Sequence, residues 1–288
     1  MTAQPNSMLH RLAARPRQAS VFVSVHFIAV FLAFIPIMPL VWVLFTALKD
    51  SKKVIADPLS PPTNPLWGNF LEAWNVGRFG NYFGNSVLVA VPTVVITLLF
   101  SLLAAYAFAK MRFRGRDSLF IVFLAGLTIP LSVLIVPLFY EIRDMNLLTT
   151  PWALILPQIA GQVPFGILLL YSFIRDLPGE ILDAGVMDGC SRWQLLRHII
   201  APLSTPAMVT LLVFTFMWSW NNFLLPTVLI HEDAARTLPV GLNAFRGRFV
   251  ANVPMLMAGA TITYVPVLIV YLLFQRQFIR GISAGALK

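Results

Sequence analysis

The chain has 288 residues, of which 58% are hydrophobic and only 11% charged, and its formal net charge is +9. Because soluble domains carry about 25% charged residues, this composition excludes an ordinary soluble domain and indicates a protein that crosses a membrane several times. The single cysteine, Cys190, excludes an internal disulfide.

Stretches without Asp, Glu, Lys or Arg predict the membrane-crossing helices. Six such stretches cover residues 18–48, 79–109, 118–140, 145–174, 198–230 and 249–275. Each exceeds the roughly 20 apolar residues that a helix needs to cross a hydrocarbon core of about 30 Å. Because isolated strands cannot satisfy their backbone in lipid, we predict an all-α bundle of six transmembrane helices.

The lysines and arginines predict the orientation of this bundle. If both termini are cytoplasmic, 13 of the 21 basic residues lie in inner segments, against 8 outside. This bias follows the positive-inside rule, and no basic patch stands apart from a membrane edge as a nucleic-acid site would. The chain then divides into a cytoplasmic tail, a first transmembrane helix with its external loop, a core of five transmembrane helices and a second cytoplasmic tail: residues 1–20, 21–80, 81–276 and 277–288.

The external loop and the next two spans have distinct local features. Trp67 to Val76 predicts a short amphipathic helix, whose tryptophans would either anchor among lipid headgroups or dock an external protein. Pro130 and Pro137 in the third span free backbone groups that must be satisfied within protein or a wet cavity. The second span should be central in the bundle because it contains small residues that allow close helix packing, namely Ser101, Ala104, Ala105 and Ala107.

A charged segment, residues 177–206, interrupts the apolar spans on the cytoplasmic side. Asp176 is placed as the N-cap of a first short helix, which Gly189 ends as a left-handed C-cap. Ser191, with Gln194 three residues on, is typical of a capping box that begins a second helix. Pro202 should stop or kink that second helix. We call residues 177–206 the elbow and expect another protein to bind it.

Several function classes lack their required residues. No Asp, Glu, Lys or Arg lies inside a predicted span, which counts against an ion-coupled carrier, and nothing resembles an ion filter. No lysine follows a glycine, so a phosphate-binding P-loop is absent and any ATP chemistry belongs to a partner. No metal site or enzyme active site is indicated because the histidines are scattered over both faces: His10, His26, His198 and His231.

The elbow resembles a motif of inner-membrane components of ATP-binding-cassette importers. That motif is Glu-Ala-Ala, three residues, Gly, nine residues, Ile, one residue and Leu-Pro. Here it consists of Asp183-Ala184-Gly185, Gly189, Ile199, Ala201 and Pro202. The spacing fits, but Asp183, Gly185 and Ala201 depart from the pattern, and Gly185 should loosen the first helix by about 1 kcal/mol relative to alanine.

Other segments resemble the carbohydrate-uptake branch of this family, and the chain is most similar to its maltose-type second permease subunit. These segments are NSV, AAYAFAKMRFRGR, WNNF and FQRQFIRGISAGALK. The resemblance implies a type I importer permease fold in a prokaryotic inner membrane, with no catalysis and no cofactor of the chain's own. Its expected partners are a second homologous permease, two cytoplasmic ATPase subunits that use ATP and Mg²⁺, and an external solute-binding protein.

The resemblance also implies roles for individual residues. The elbow would be a coupling helix in a groove of an ATPase, with contacts from Glu180, Asp183, Ala184, Gly185, Met187, Asp188, Gly189 and Arg192. The C-terminal segment, from Gly281 to Lys288, would either reach the ATPases or fray.

The transported substrate would be a sugar such as a maltose-like or trehalose-like disaccharide. Amides can bind its hydroxyls and aromatic faces can stack on its ring, which makes the candidates Gln158, Gln162, Trp218, Trp220, Asn221, Asn222 and Tyr264. Packing between helices is the alternative role for each of them. An ion-coupled carrier, a membrane scaffold, and a glycerol-phosphate or polyol importer remain open, as does the share of substrate contacts held by the paired permease.

Overall fold

A computed structural model describes residues 16–245 and 252–286, and the regular elements in these ranges are helical. Short 3-10 turns and one π-helical turn, Leu196–Ile200, connect some of them. In chain order the helices are α1 Pro16–Ala47, α2 Ser51–Ala56, α3 Gly68–Val76, α4 Phe79–Lys110, α5 Arg116–Ala125, α6 Leu131–Asp144, α7 Trp152–Arg175, α8 Gly179–Met187, α9 Arg192–Leu195, α10 Ala201–Leu203, α11 Thr205–Trp220, α12 Leu224–Leu229, α13 Leu238–Gly241 and α14 Val253–Ala286.

Four uninterrupted helices are long and apolar enough to cross a membrane, over Ser24–Ala47, Phe79–Lys110, Trp152–Arg175 and Val253–Ile279. Two further spans are bent pairs of helices. The first joins α5 to α6 with a bend of 100°, and the second joins Arg192–Leu203 to α11 with a bend of 75°. With each bent pair counted as one span, the number agrees with the predicted six.

The predicted central position of the second span is confirmed. This span is α4, which packs along α7 and against α11. Its small residues Ser101 and Ala105 are fully buried. Gly166 of α7 lies so close to α4 that a Cβ added there would come within 2.8 Å of the Ser101 Cβ atom. The α4–α7 contact therefore depends on small residues from both helices.

Helix α1 lies at the edge of the bundle, where it packs against α14. Its described side chains are exposed from Ser24 to Val41, although most of them are large and apolar. An apolar surface of this extent is stable where hydrocarbon or another apolar surface covers it, which agrees with α1 as a membrane-crossing helix at the edge of the bundle. The predicted N-terminal tail lies mostly outside the described residues, and the predicted C-terminal tail starts as a continuation of α14.

The external loop after α1 contains the predicted short helix, α3, whose tryptophan neighbour Trp67 is exposed. The loop is fixed to the bundle by polar contacts. Lys49 is 2% exposed and its ammonium donates to the carbonyl oxygens of Asp57 and Pro58, at 2.9 and 3.1 Å. The Asn69 amide donates to the carbonyls of Ala47 and Lys49, so α3 starts from a defined position.

Candidate functional site

The first helix of the elbow, α8, ends as predicted but begins later than expected. Asp176 is not its N-cap: α7 continues to Arg175 and Asp176 keeps helical backbone angles, so the chain can turn only at Pro178, which precedes α8. At the other end Gly189 has φ +80°, the left-handed conformation that favours glycine. The Cys190 amide donates to the Gly185 carbonyl at 3.0 Å, which completes a Schellman motif.

The second helix of the elbow begins with the predicted capping box. The Gln194 amide donates to the Ser191 hydroxyl at 3.4 Å, and the Ser191 amide donates to the Gln194 side-chain oxygen at 2.7 Å. The helix continues through a π turn to Leu203, one residue beyond Pro202, where the chain bends into α11. Both helices of the elbow thus have fixed ends.

Gly185 is the contact point between the two elbow helices. It is buried, and an added Cβ would come within 2.7 Å of the Leu195 side chain and 2.8 Å of the Ile199 side chain. Helix propensity alone predicted that glycine here loosens α8. The structure adds a compensating reason for its presence, because the missing side chain allows α8 to lie directly on the second helix.

The elbow is also anchored to the membrane-crossing helices. The Lys110 ammonium, at the end of α4, donates to the carbonyls of Arg175 and Leu177 at 3.2 and 3.0 Å. The Tyr106 hydroxyl donates to the Arg192 carbonyl at 3.3 Å. Beneath the elbow, a buried apolar cluster joins its second helix to α4, α7 and α11: Leu102, Ala105, Leu170, Ile174, Leu196, Ile200, Ala207 and Leu211.

The elbow presents most of the predicted coupling residues at its surface. Gly185 is buried, whereas the exposed ones are Glu180, Asp183, Ala184, Met187, Asp188, Gly189 and Arg192. Met187 is 86% exposed, and the sequence reasoning missed its apolar neighbours Val186 and Trp193, which are 56% and 58% exposed.

A cavity of about 600 Å³, open on one side, lies between the break of the third span, α6, α7 and α11. Its polar lining comes from four of the predicted sugar-path residues: Gln158, Gln162, Trp218 and Asn222. The rest of its lining is Gly126, Leu127, Ile129, Pro130, Leu131, Leu134, Leu138, Pro157, Ala160, Gly161, Phe165 and Phe214. The predicted break at Pro130 therefore forms part of the cavity wall, while Pro137 lies inside α6.

The other three sugar-path candidates do not line this cavity. Trp220 is 2% exposed, its indole nitrogen donates to the Thr263 carbonyl at 3.0 Å, and its ring packs on Phe216. Asn221 is exposed in the break after α11, and Tyr264 is half-buried on α14. The helical periodicity of α11 separates Trp218 from Trp220, because residues two apart point in different directions.

A polar cluster on the external side, which the sequence reasoning missed, joins the start of α4 to the segment before α13. Asp233 accepts from the Arg78 guanidinium and the Tyr82 hydroxyl, both at 2.7 Å, and from Arg236 at 3.1 Å. The Asn85 amide donates to the carbonyls of Ala234 and Arg236. We call Arg78, Tyr82, Asn85, Asp233 and Arg236 the outer brace. The hydrogen bond from Tyr82, with the charges of the two arginines, lowers the pKa of the Asp233 carboxyl.

Within residues 16–245 and 252–286, no group of three or more His, Cys, Asp or Glu side chains could hold a metal ion. A family model described as binding-protein-dependent transport system inner membrane component matches residues 97–284, which include the elbow and the helices around the cavity. The chain belongs to this family. The permease is thus a multi-pass membrane protein, and the predicted ATP-binding-cassette importer permease of the carbohydrate-uptake type is confirmed.

Two curated relatives cover most of this permease. It is 34% identical over 265 residues to the diacetylchitobiose uptake system permease protein NgcG of Streptomyces coelicolor, covering 91% of this chain and 88% of that protein. It is 36% identical over 250 residues to the probable ABC transporter permease protein YurM of Bacillus subtilis, covering 87% of this chain and 83% of that protein.

The fold of the permease is also found in a solved structure. A crystal structure of a bacterial ABC transporter involved in the import of the acidic polysaccharide alginate matches with a TM-score of 0.76 at 21% identity. The match covers 92% of this permease and 98% of the solved chain. The predicted type I importer fold is therefore confirmed.

Proposed function

We propose that this permease imports an oligosaccharide delivered by an external solute-binding protein, and that its elbow receives the motion of ATP-hydrolysing partners. The observation that carries this proposal is the elbow itself, a doubly capped unit with Met187 86% exposed on the cytoplasmic side. Several exposed large apolar side chains on one rigid unit, here Val186, Met187 and Trp193, are typical of a docking site. The permease belongs to a family of binding-protein-dependent systems, which supports the external partner.

The elbow surface has the composition of a contact with another protein. Burial of Met187 and Trp193 in a groove would contribute about 1.5–3 kcal/mol each. The exposed carboxylates Glu180 and Asp183 would orient the contact by pairing with basic groups of the partner. We assign this groove to two cytoplasmic ATPase subunits, one beneath this permease and one beneath a second homologous permease. The ATPases, not this chain, would bind ATP and Mg²⁺.

Motion of the elbow would reach the spans through its buried side. Leu196 and Ile200 pack in the same cluster as α4 and α7, and Lys110 holds the start of the elbow to α4. Because packed interiors are dense and poorly compressible, a displaced elbow would carry these helices with it. Approach of the two ATPases would then switch the spans between inward-facing and outward-facing states, as in alternating access across a prokaryotic inner membrane.

The proposed substrate is an uncharged oligosaccharide, with maltose-like, trehalose-like and chitobiose-like disaccharides as the candidates. A relative with 34% identity is a diacetylchitobiose permease, which supports this class. The cavity is lined by amide, indole and apolar groups, and none of its lining side chains is ionisable. A glycerol phosphate would lose its hydration there without gaining a cationic partner, so it is the weaker candidate.

Reconstitution tests the proposal. The permease, its paired permease and the ATPases are purified together in proteoliposomes and supplied with the external binding protein and labelled sugar. Uptake should require ATP and the binding protein, and it should stop with a non-hydrolysable ATP analogue. Uptake by the permeases alone, driven by an ion gradient, would overturn the proposal in favour of an ion-coupled carrier.

A further inference from the structure

Two pairs of polar side chains face one cavity from two helices. Gln158 and Gln162 lie one turn apart on α7, whereas Trp218 lies in the last turn of α11 and Asn222 follows in the break after that helix. Residues four apart in a helix share one face, with their Cβ atoms about 5–6 Å from each other. Helix α7 therefore presents two amides to the cavity from one face, and the end of α11 with the break after it presents an indole and a third amide.

The two glutamines are buried without partners. Gln158 is 6% exposed and Gln162 is 8% exposed. Among the residues that the structure describes, neither the amide nitrogen nor the amide oxygen of Gln158 has a hydrogen bond, and both atoms are closed off from solvent, so a sugar reaches them only after this side chain rotates towards the cavity. No hydrogen bond of the Gln162 side chain is found in the same part of the chain. A buried, unpaired amide is unfavourable, so such groups usually have a ligand, a water or a partner protein. A carboxamide both donates and accepts, which matches a sugar hydroxyl.

The α11 pair supplies a different chemistry. Trp218 is 68% exposed, which leaves its indole available for stacking against the apolar face of a pyranose. The Asn222 side-chain oxygen accepts from the Leu225 amide at 3.1 Å, so its NH₂ group stays free to donate. The helix break after α11 thus positions Asn222 at the cavity and uses its oxygen to begin α12.

The other residues that line the cavity determine whether a charged ligand can bind there. None of the cavity's lining residues is Asp, Glu, Lys, Arg or His. A carboxylate, sulfonate or phosphate that enters such a site loses hydration and finds no cation. An uncharged ligand with hydroxyls on its edge and C–H groups on its face meets no such penalty.

We infer that Gln158, Gln162, Trp218 and Asn222 form a glycan subsite within this chain, which takes one uncharged pyranose unit during translocation. The two glutamines bind its hydroxyls, Trp218 stacks on its ring, and Asn222 donates from the end of α11. This inference rests on the proposed sugar import. It adds that this permease, and not solely its paired subunit, contacts the sugar inside the membrane.

Coupled transport tests the subsite. In the reconstituted complex, Gln158→Leu and Gln162→Leu should each lower sugar uptake by about 10-fold, because each removes hydrogen bonds that the sugar cannot replace. Hydrolysis of ATP stimulated by the loaded binding protein should persist, since the elbow is unchanged, so the sugar imported per ATP falls. Trp218→Ala should act similarly and Trp218→Phe should retain most uptake. Gln275→Leu is the matched control, because that amide donates to the Leu272 carbonyl of its own helix.

A direct binding measurement on the permease complex excludes any contribution of the external binding protein to sugar selectivity. Saturation-transfer NMR is recorded on the purified complex without binding protein, with maltose, trehalose, diacetylchitobiose and an alginate trisaccharide as probes. At least one of the three neutral sugars should show saturation transfer from the protein, and Gln162→Leu and Trp218→Ala should reduce that transfer. The acidic sugar should show no saturation transfer.

Three results would overturn the subsite. They are unchanged sugar import per ATP in both glutamine variants, stronger transfer to the alginate trisaccharide than to the neutral sugars, and loss of the paired permease from the Gln158→Leu complex, which would make that amide a subunit contact. If the wild-type complex imports none of the probes in the presence of ATP and binding protein, the proposal that the permease imports an oligosaccharide is itself wrong.

Discussion

The elbow and the outer brace are polar assemblies at opposite faces of the membrane, and they are built in different ways. In the elbow, the caps join residues three to five positions apart, as in the Ser191–Gln194 box and the Gly185–Cys190 bond. In the outer brace, the side-chain bonds from Arg78, Tyr82 and Asn85 join residues 149 to 155 positions apart, and only the bond from Arg236 to Asp233 is local. The elbow is thus a local unit, whereas the brace exists only after the bundle has formed.

This difference has a functional consequence under the proposed mechanism. A locally capped unit keeps its shape while the spans around it move, which suits a lever that transmits force. The brace instead fixes the segment before α13 to the start of α4. Its contribution to stability therefore depends on these two elements staying in contact. Variants of the elbow should therefore affect coupling, and variants of the brace should affect the stability of the outer half.

The largest expected effect comes from the elbow's left-handed glycine. Gly189→Val should lower sugar uptake by at least about 10-fold and uncouple it from ATP hydrolysis, because a β-branched residue at positive φ costs about 1–2 kcal/mol and distorts the elbow. Gly179→Val is the matched control, since both glycines have open space around an added Cβ and only Gly189 has φ +80°. Uptake and membrane insertion are measured in parallel. Normal transport by Gly189→Val would contradict the elbow's role.

The next effect concerns the apolar contact of the elbow. Met187→Asp should weaken ATPase binding by about 10-fold or more, because a carboxylate replaces a side chain that contributes about 1.5–3 kcal/mol on burial. The folded bundle should be unaffected since Met187 is 86% exposed. Ile55→Asp is the control, at 85% exposure on the external loop. Equal ATPase retention by both variants in a pull-down would remove Met187 from the interface.

A smaller effect is expected from the elbow's charge. Asp183→Lys should weaken ATPase association by several-fold, because rim charges act mainly on orientation and association rate. The loss of ATPase association caused by Asp183→Lys should be smaller at high salt, where screening reduces both attraction and repulsion. Glu72→Lys, an exposed carboxylate on α3, serves as the control. A pull-down that is unchanged at low salt would exclude Asp183 from the contact.

The smallest effect belongs to the outer brace and depends on pH. Because the pKa of Asp233 is lowered in the folded protein, its stabilisation is present above the ordinary carboxyl pKa of about 4 and is lost as the pH falls through the folded value. Asp233→Asn should lower the melting temperature by at most about 2–4 °C near pH 7, since exposed ion pairs contribute about 0–1 kcal/mol.

The difference in melting temperature between the wild-type protein and Asp233→Asn should become smaller towards pH 3. Asp144→Asn is the comparison, because Asp144 pairs only with its neighbour Arg143 among the described ion pairs. An equal, pH-independent loss in both variants would show that the carboxylate of Asp233 does not stabilise the outer half.

Much of the architecture could be predicted because its signals are local. The charge-free stretches located the spans, and Ser191 and Gly189 located the ends of the elbow helices. The N-cap of α8 was predicted wrongly because Asp176 fits two roles, and only the length of α7 assigns it to the preceding helix. The bends of 100° and 75° were not predicted, since proline marks a break but not its angle.

The candidate sugar path was predicted only in part. All seven residues were chosen by type, and side-chain type does not say which way a helix face turns in the bundle. Packing on α4 and α14 turns Trp220 inward to the Thr263 carbonyl and leaves Trp218 at the cavity. Val186 and Trp193 were not among the predicted coupling residues, because the motif that carries the resemblance does not include their positions.

The sequence by itself determined the membrane class, the spans, their orientation and the capped elbow, because hydropathy, charge and capping act between residues close in the chain. Only the tertiary structure decided that Gln158 and Gln162 meet Trp218 and Asn222 in one cavity, that Gly185 lets the elbow helices touch, and that Asp233 binds Arg78. These contacts depend on how helices distant in sequence rotate and pack against each other, which local patterns do not encode.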